Sequence, residues 1–297
     1  MLKGVGILTM VIGHAGLPEI LTCFIYAFHM PFFFLLNGMT TNFEIGYGTF
    51  LKKRVNSLLV PFFIYYVIHI VLYGLVFGRG IIGQLGYEVT NRIDDALWFI
   101  PVLFVSTCIA KLVPSRKDLL VMAIIAFASM SELLCMYDVS LPIHLCMAPF
   151  GASFILIGRL LSDEIMSYTS KQESIITTSC VLLISAFVTL GVSRVQRLNM
   201  YFEQIEPTLP LITGALFGFV MMLALAKIFS KNRWGSEFFS YTGRNTLIFV
   251  AFSQFILKCE NFYISEYIIV KYILLFVILY AMIFVKNKLP FAARLKL

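Results

Sequence analysis

Apolar runs of about twenty residues follow one another along the whole chain, with short polar connections between them. A helix of that length spans the hydrocarbon core of a bilayer, which is roughly 30 Å thick. The sequence is 60% hydrophobic and 13% charged, whereas soluble domains are about half apolar and a quarter charged. Because backbone polar groups in a bilayer must be bonded internally, the spans are expected to be helices. The sequence therefore predicts an all-α, polytopic integral membrane protein with one transmembrane domain over residues 1–297.

Apolar runs bounded by charge, proline or glycine predict about ten transmembrane helices. Their predicted limits are 2–18, 20–39, 57–77, 96–113, 118–136, 142–161, 174–192, 208–229, 244–259 and 263–285. An even number of spans places both termini on one side, and positive charge is enriched on the cytoplasmic side. With both termini in the cytoplasm, only six of the 23 Lys and Arg residues lie outside, namely Arg79, Arg92, Arg194, Arg197, Lys258 and Lys271.

The charge and the cysteines exclude two classes of protein. The net charge of +7 comes from basic residues scattered among short loops, so membrane orientation explains it better than nucleic-acid binding. The six cysteines form no CxxC pair, and several lie in apolar runs, where Cys behaves as a small hydrophobic residue. The sequence predicts neither a metal site nor a disulfide framework.

Small residues in the segment GALFG, at Gly214 and Gly218, are spaced so that two helices can approach closely. Packing within the chain is the favoured interpretation of this spacing. A face for homo-oligomer formation is the alternative.

Three histidines at membrane depth are the main candidate functional residues. His14, His29 and His69 lie in the first, second and third predicted spans. Ionisable groups are costly in a bilayer, so each needs a partner or a function. Because short connections make these helices neighbours, the three imidazoles are predicted to converge in one cavity. A bond to a nearby carbonyl or hydroxyl is the alternative for each, and it is favoured for His69, which has tyrosines beside it.

The first segment, MLKGVGILTMVIGHAG, places a cation and a histidine on one face of a helix. The eleven-residue step from Lys3 to His14 rotates by about 1100°, or about 20° after whole turns, and rises about 16 Å. Lys3 is then expected at the cytoplasmic edge, with His14 about half a bilayer deeper. This arrangement suits a long ligand with an anionic head, although the residues alone favour a role for Lys3 as a topology anchor.

Three further segments contain candidate site residues. In FHMPFFFLLNG, Pro31 follows His29 by two residues and predicts a kink with a freed carbonyl, which is tolerated at membrane depth mainly beside a cavity. LKKRVNSLLVPFF places Arg54 at the inner mouth of the third span, where a guanidinium can bind phosphate oxygens. ALWFIPVLF places Trp98 near the outer interface, where aromatic belts are common.

These segments resemble those of the acyltransferase 3 family, which are bacterial integral membrane O-acyltransferases, in the branch without a fused esterase-like domain. Members of this family have a basic residue and a His separated by ten residues in the first helix, as Lys3 and His14 are. FHMPFFFLLNG, FLKKRVNSLLVPFF and ALWFIPVLF are similar to the family's second-helix, third-helix and Leu-Trp-Phe segments. SYTGRNTLIF is similar to a late segment of the family.

The resemblance implies transfer of an acyl group, usually acetyl from acetyl-CoA, to a hydroxyl of a glycan or lipid-linked sugar of the cell envelope or an exported polysaccharide. It implies a catalytic role for His14 as general base and for His29, donor binding by Lys3 and Arg54, and a substrate cavity containing Trp98 and His69. An imidazole can take the proton of an attacking hydroxyl and pass it to the departing thiolate. The expected location is the bacterial inner membrane, among lipids, and no metal is implied.

The chain departs from the family pattern in two places. Many relatives carry a His after GxNTL, where this chain has Ser253 and Gln254. Relatives also usually have an acidic residue a few positions before the basic one, which here would precede Met1. An inactive relative acting as an assembly partner is one alternative function. A proton-coupled transporter, with the histidines as a relay, is another.

Overall fold

The computed structural model describes residues 1–78, 80–90, 95–139, 141–171, 173–195, 199–203, 205, 208–263 and 268–288. These residues form helices joined by turns, with no strand among them, so the predicted all-α fold is confirmed. Some cations used to predict the orientation lie outside these residues, namely Arg79, Arg92, Arg197, Arg294 and Lys296. The chain divides into unit 1 (Met1–Ile45 and Val105–Arg244) and unit 2 (Gly46–Phe104 and Asn245–Leu297).

The α-helices follow one another with short connections. In chain order they are α1 (Leu2–Gly13), α2 (Glu19–Tyr26), α3 (His29–Thr40), α4 (Tyr47–Arg54), α5 (Val60–Val76), α6 (Gly80–Thr90), α7 (Phe99–Leu112), α8 (Lys117–Met136), α9 (Ala148–Leu160), α10 (Ser162–Ser170), α11 (Ile175–Val195), α12 (Thr208–Ser230), α13 (Arg233–Arg244), α14 (Thr246–Tyr263) and α15 (Ile268–Lys288). A π-helix, Val55–Leu59, joins α4 to α5, and 3₁₀ turns occupy Asp95–Trp98, Pro142–Met147 and Met200–Phe202.

Among the described residues, eight helical segments are long and apolar enough to cross a membrane. They are Glu19–Thr40, Tyr47–Val76, Asp95–Leu112, Lys117–Met136, Pro142–Leu160, Ile175–Arg194, Thr208–Ser230 and Ile269–Lys288. Two predicted spans, 2–18 and 244–259, are not among these eight. The first forms only the 12 residues of α1, and α14 carries charge at Lys258 and Glu260. The total of ten spans and the cytoplasmic position of both termini remain predictions.

The disruption that Pro31 predicts in the second span, 20–39, is a break in the helix just before His29. The helix α2 ends at Tyr26, a turn occupies Ala27 and Phe28, and α3 begins at His29. Pro31 therefore lies in the first turn of α3, where its missing N–H leaves no intrahelical bond unmade. Since Pro31 cannot bond the carbonyl four residues earlier, the break falls at that position.

Four helices lie outside the ten predicted spans, because they are not continuous apolar runs of membrane-spanning length. These are α4, α6, α10 and α13. In α13 polar residues are mixed with aromatic residues such as Trp234 and Phe238, which are four residues apart and exposed. Such a helix is amphipathic, with one apolar face, whereas a membrane-spanning helix is apolar along its whole length.

Glycines allow close contacts between the helices of unit 1, one of them at the break between α2 and α3. Gly38 of α3 lies against a backbone carbonyl of α9, and Gly158 of α9 lies against a backbone carbonyl of α3, so a side chain at either position would collide with the other helix. On α12, Gly214 contacts α11 at Val192, and Gly218 lies against Phe28 in the break itself. The GALFG segment therefore packs within the chain, which confirms the favoured interpretation.

Candidate active site

Three polar aromatic side chains in unit 1 lie where helices end. His14 follows the last residue of α1 and keeps right-handed backbone angles (φ −92°, ψ −3°). Tyr26 is the last residue of α2, and His29 is the first residue of α3. Irregular backbone at membrane depth is tolerated mainly where it is buried in protein or lines a cavity. The helix ends therefore mark this region as a candidate functional site.

The three rings are in mutual contact and define what is called here the His14 cluster, consisting of His14, Tyr26 and His29. The ring centroids of His14 and His29 are 5.6 Å apart, with the planes at 83°. The Tyr26 ring lies 5.2 Å from that of His14 and 4.8 Å from that of His29. The structure thus brings His14 and His29 together, as the sequence predicts, while their catalytic roles remain predictions.

Hydrogen bonds orient both imidazoles. His29 is buried, and its Nδ1 lies 3.1 Å from the carbonyl oxygen of Ile25. Because a carbonyl only accepts, the proton of a neutral His29 is on Nδ1 and the lone pair is on Nε2. The Nδ1 of His14 lies 2.8 Å from the hydroxyl oxygen of Tyr26, and either atom can be the donor.

A glycine allows α1 to end this close to α2. A Cβ atom on Gly13 would lie 2.7 Å from Cγ2 of Ile25, which is too close for real atoms. The missing side chain therefore lets the end of α1 approach Ile25, the neighbour of Tyr26. The backbone N–H of His14 donates to the carbonyls of Met10 and Val11. These bonds extend the helical bonding to His14 and fix the position of its Cα atom.

The predicted donor-binding cations lie in different units. Lys3 is exposed at the start of α1 in unit 1, and its Cβ lies 3.4 Å from the position that a Cβ on Gly243 of α13 would take. Arg54 is the last residue of α4 in unit 2, half-buried, with its guanidinium 5.5 Å from the centre of the Phe50 ring. Donor binding by either residue remains a prediction.

Both predicted cavity residues are buried in unit 2. The His69 ring stacks on Tyr73 with centroids 4.2 Å apart. Trp98 is buried in the turn Asp95–Trp98, 6.4 Å from the Phe99 ring. A buried Trp98 differs from an aromatic-belt residue, whose ring lies in the membrane interface. Lining of a substrate cavity by these residues remains a prediction.

A charged network that the sequence did not predict surrounds His69 in unit 2. Its members are His69, Tyr73, Asp95 and Lys258, called here the Asp95 cluster. The Asp95 side chain is fully buried, its Oδ2 accepts a hydrogen bond from the Tyr73 hydroxyl, and its Oδ1 lies 2.8 Å from Nζ of Lys258. Nδ1 of His69 lies 3.8 Å from the same carboxylate. The sequence feature that could have indicated this network is the acidic pair Asp94 and Asp95, just before the segment that contains Trp98.

Tyr26 was also not predicted, because a tyrosine, neutral at pH 7, is less costly at membrane depth than a charged group and so needs no special role. Tyr26 lies three residues before His29 in the sequence. This spacing indicates a contact between the two rings only when the helix is known to break between them. Among the described residues, no group of three or more His, Cys, Asp and Glu side chains could hold a metal ion.

The comparison with family models gives a match over most of the chain. The family model described as an acyltransferase domain, that of acyltransferase 3, matches residues 1–285 of the 297. No curated protein and no solved structure matches the chain. The match includes all three residues of the His14 cluster.

Proposed function

This chain belongs to the acyltransferase 3 family and is a multi-pass membrane acyltransferase, and we propose that it transfers acetyl from acetyl-CoA to a hydroxyl group of an envelope or exported glycan in the bacterial inner membrane. The observation that carries the proposal is the contact between His14, Tyr26 and His29 at three helix ends. Such a cluster supplies the acid–base groups that acyl transfer to a hydroxyl needs.

In the proposed reaction, His14 removes the proton of the acceptor hydroxyl as its oxygen attacks the thioester carbonyl. The new carbon–oxygen bond forms, the carbon–sulfur bond breaks, and the proton held by His14 passes to the departing thiolate. The products are an ester and free CoA. A group that titrates near neutral pH can perform both proton transfers.

The surroundings of His14 suit this reaction. His14 lies at the carboxyl end of α1, where the helix dipole stabilises the positive charge that the ring carries between the two proton transfers. His29 is buried beside it, and its Nε2 lone pair is available to accept a hydrogen bond from a reacting group. Holding the thioester and the hydroxyl together, away from water, would supply much of the rate increase.

Lys3 is proposed to bind the phosphates of the donor. It lies on the same helix as His14 and is exposed at its amino-terminal end. A helical step of eleven residues rises about 16 Å, so an extended donor along α1 could contact both residues. The resemblance alone supports donor binding by Arg54 and a position for Trp98 in the substrate cavity.

The proposal is tested with purified protein in detergent, radiolabelled acetyl-CoA and glycans extracted from the envelope. Acetyl incorporation, read by mass spectrometry of the glycan, should match the release of free CoA. We expect His14→Gln to abolish both while the protein remains folded. Binding of acetyl-CoA without transfer to any glycan would contradict an enzymatic role and favour an assembly partner.

Lys3→Met tests donor binding with a matched control. Loss of a charge-assisted contact to phosphate should raise the KM for acetyl-CoA about tenfold to a hundredfold, because such bonds contribute about 1.5–3 kcal/mol. Lys231→Met removes another exposed cation from unit 1 and should leave the KM unchanged. Equal KM values for Lys3→Met and Lys231→Met would show that Lys3 only anchors the topology.

A further inference from the structure

The contact between Tyr26 and His14 has a consequence for which nitrogen of His14 can react. The two atoms, the Tyr26 hydroxyl oxygen and Nδ1 of His14, are 2.8 Å apart. A tyrosine hydroxyl can donate or accept. If it donates, the proton of neutral His14 is on Nε2, and neither nitrogen can act as a base without losing this bond. If it accepts, Nδ1 carries the proton and Nε2 has the lone pair.

We propose that Tyr26 is a positioning residue that accepts a hydrogen bond from Nδ1–H of His14 and thereby keeps Nε2 as the proton-accepting atom. The inference rests on the proposed function of His14. Nδ1 is occupied by the tyrosine, so Nε2 is the nitrogen that reaches the acceptor hydroxyl. When Nε2 takes the proton, Nδ1 keeps its own proton and its bond to Tyr26, and the ring does not turn.

The end of α2 orients both histidines in the same way. The carbonyl of Ile25 accepts from Nδ1 of His29 at 3.1 Å, and the next residue, Tyr26, contacts Nδ1 of His14. With Tyr26 as acceptor, both rings carry the proton on Nδ1 and the lone pair on Nε2. Two consecutive residues at one helix end thus select the same tautomer in two imidazoles.

The position of Tyr26 is itself fixed. Its ring lies 4.8 Å from His29 and 5.2 Å from His14, and the Ile25 side chain packs against Gly13 at the end of α1. The hydroxyl is therefore held in place by ring contacts as well as by its hydrogen bond. Removing the hydroxyl alone, as in Tyr26→Phe, keeps the ring contacts and tests the hydrogen bond separately.

Nitrogen NMR of the imidazoles tests the tautomer without reference to activity. The chain has four histidines, so ring-labelled protein gives a simple spectrum, and the His14 signals are those missing in His14→Gln. At about pH 9, where imidazoles are normally neutral, we expect His14 to carry its proton on Nδ1. In Tyr26→Phe the population with the proton on Nε2 should rise. A wild-type spectrum with the proton of His14 on Nε2 would overturn the proposal.

Kinetics test the consequence for catalysis. Loss of the orienting bond should lower the kcat of Tyr26→Phe about tenfold to a hundredfold, since a histidine in the wrong tautomer is a poor base. The KM for acetyl-CoA should stay the same, and Tyr137→Phe, at an exposed tyrosine of unit 1, should keep full kcat.

The NMR and kinetic measurements distinguish failure of the proposed function from failure of the positioning role. If no acyl transfer is found but the tautomer depends on Tyr26, the proposed function fails and the positioning role stands. Full kcat in Tyr26→Phe, or an unchanged tautomer in that variant, would reject the positioning role. The wild-type NMR result does not depend on whether the variant folds.

Discussion

Unit 1 and unit 2 each place a tyrosine against a histidine, but the partners of the two pairs differ. In the Asp95 cluster, a buried carboxylate binds both the Tyr73 hydroxyl and the Lys258 ammonium. In the His14 cluster, the tyrosine contacts two imidazoles. A paired carboxylate and ammonium satisfy each other, whereas a neutral imidazole keeps a lone pair that can accept a proton. The first arrangement is suited to stability, and the second to chemistry.

The position of each histidine in its helix supports this distinction. His69 lies inside α5, where its backbone is fully bonded, while His14 and His29 lie at helix ends. Burial alone does not separate them, because His29 and His69 are both buried. We therefore favour a structural role for His69, which is the alternative that its neighbouring tyrosines suggest.

The largest effect on activity without touching a site residue is expected at Gly13. In Gly13→Ala the new methyl would collide with Cγ2 of Ile25 and move the end of α1 away from α2. A displacement of about 1 Å at a reacting group can lower kcat by about a hundredfold. Initial rates of acetyl transfer, per mole of folded protein, measure this loss.

Two further variants serve as controls for Gly13→Ala. Adding Ile25→Ala removes the colliding methyl and should restore part of the rate. Gly191→Ala, in α11, has open space around its new methyl and should keep full activity. Undiminished activity in Gly13→Ala would show that the approach of α1 to α2 does not position His14.

The next largest effect is expected on stability, from Lys258→Met. This change leaves the Asp95 carboxylate buried without its cation, and breaking such a pair costs about 3–5 kcal/mol when both partners are buried. Because the Lys258 side chain is 43% exposed, we expect about 2–3 kcal/mol. Chemical unfolding in detergent micelles measures the loss, and kcat per folded molecule should not change.

Asp95→Asn should destabilise the protein less than Lys258→Met. The lysine left behind can turn toward its exposed side, and asparagine tolerates the left-handed backbone at this position, where φ is 66°. We expect a loss of about 1–2 kcal/mol. The double variant should be more stable than Lys258→Met alone, and the reverse order would contradict a charge pair at this site.

The sequence predicts the fold of this molecule better than it predicts the details of the candidate site. The all-α fold follows from the length of the apolar runs, and the pairing of His14 with His29 follows from the short connection between their spans. Pro31 predicts a disruption of the helix four residues earlier, and the break falls there. The form of the break, a turn at Ala27 and Phe28, also depends on packing against Gly218, which the sequence does not show. Asp95 was not predicted because its partners Tyr73 and Lys258 are distant in sequence. Tyr26 was not predicted because its contact with His29 depends on the break between them.

The smallest effect is expected at an exposed carboxylate, Glu44. The Ser115 hydroxyl donates to it at 2.7 Å, Arg159 lies 3.5 Å away, and these contacts lower the pKa of Glu44 below its usual 4.5. A lowered pKa means that the ionised form stabilises the folded state at neutral pH, and that this contribution is lost as the pH falls through the folded-state pKa. Glu44→Gln should slightly lower the Tm at pH 7, and the difference should disappear in acid.

The most direct test of the contrast between the two clusters compares the acetyl-transfer rate per folded molecule in His14→Gln and Tyr73→Phe. Each removes one polar group from one cluster. We expect His14→Gln to lose about 10²–10⁴-fold in rate, as for a lost general base, and Tyr73→Phe to keep its rate with a lower unfolding free energy. A normal rate in His14→Gln, together with an inactive but folded Tyr73→Phe, would contradict the assignment of the reaction to the His14 cluster.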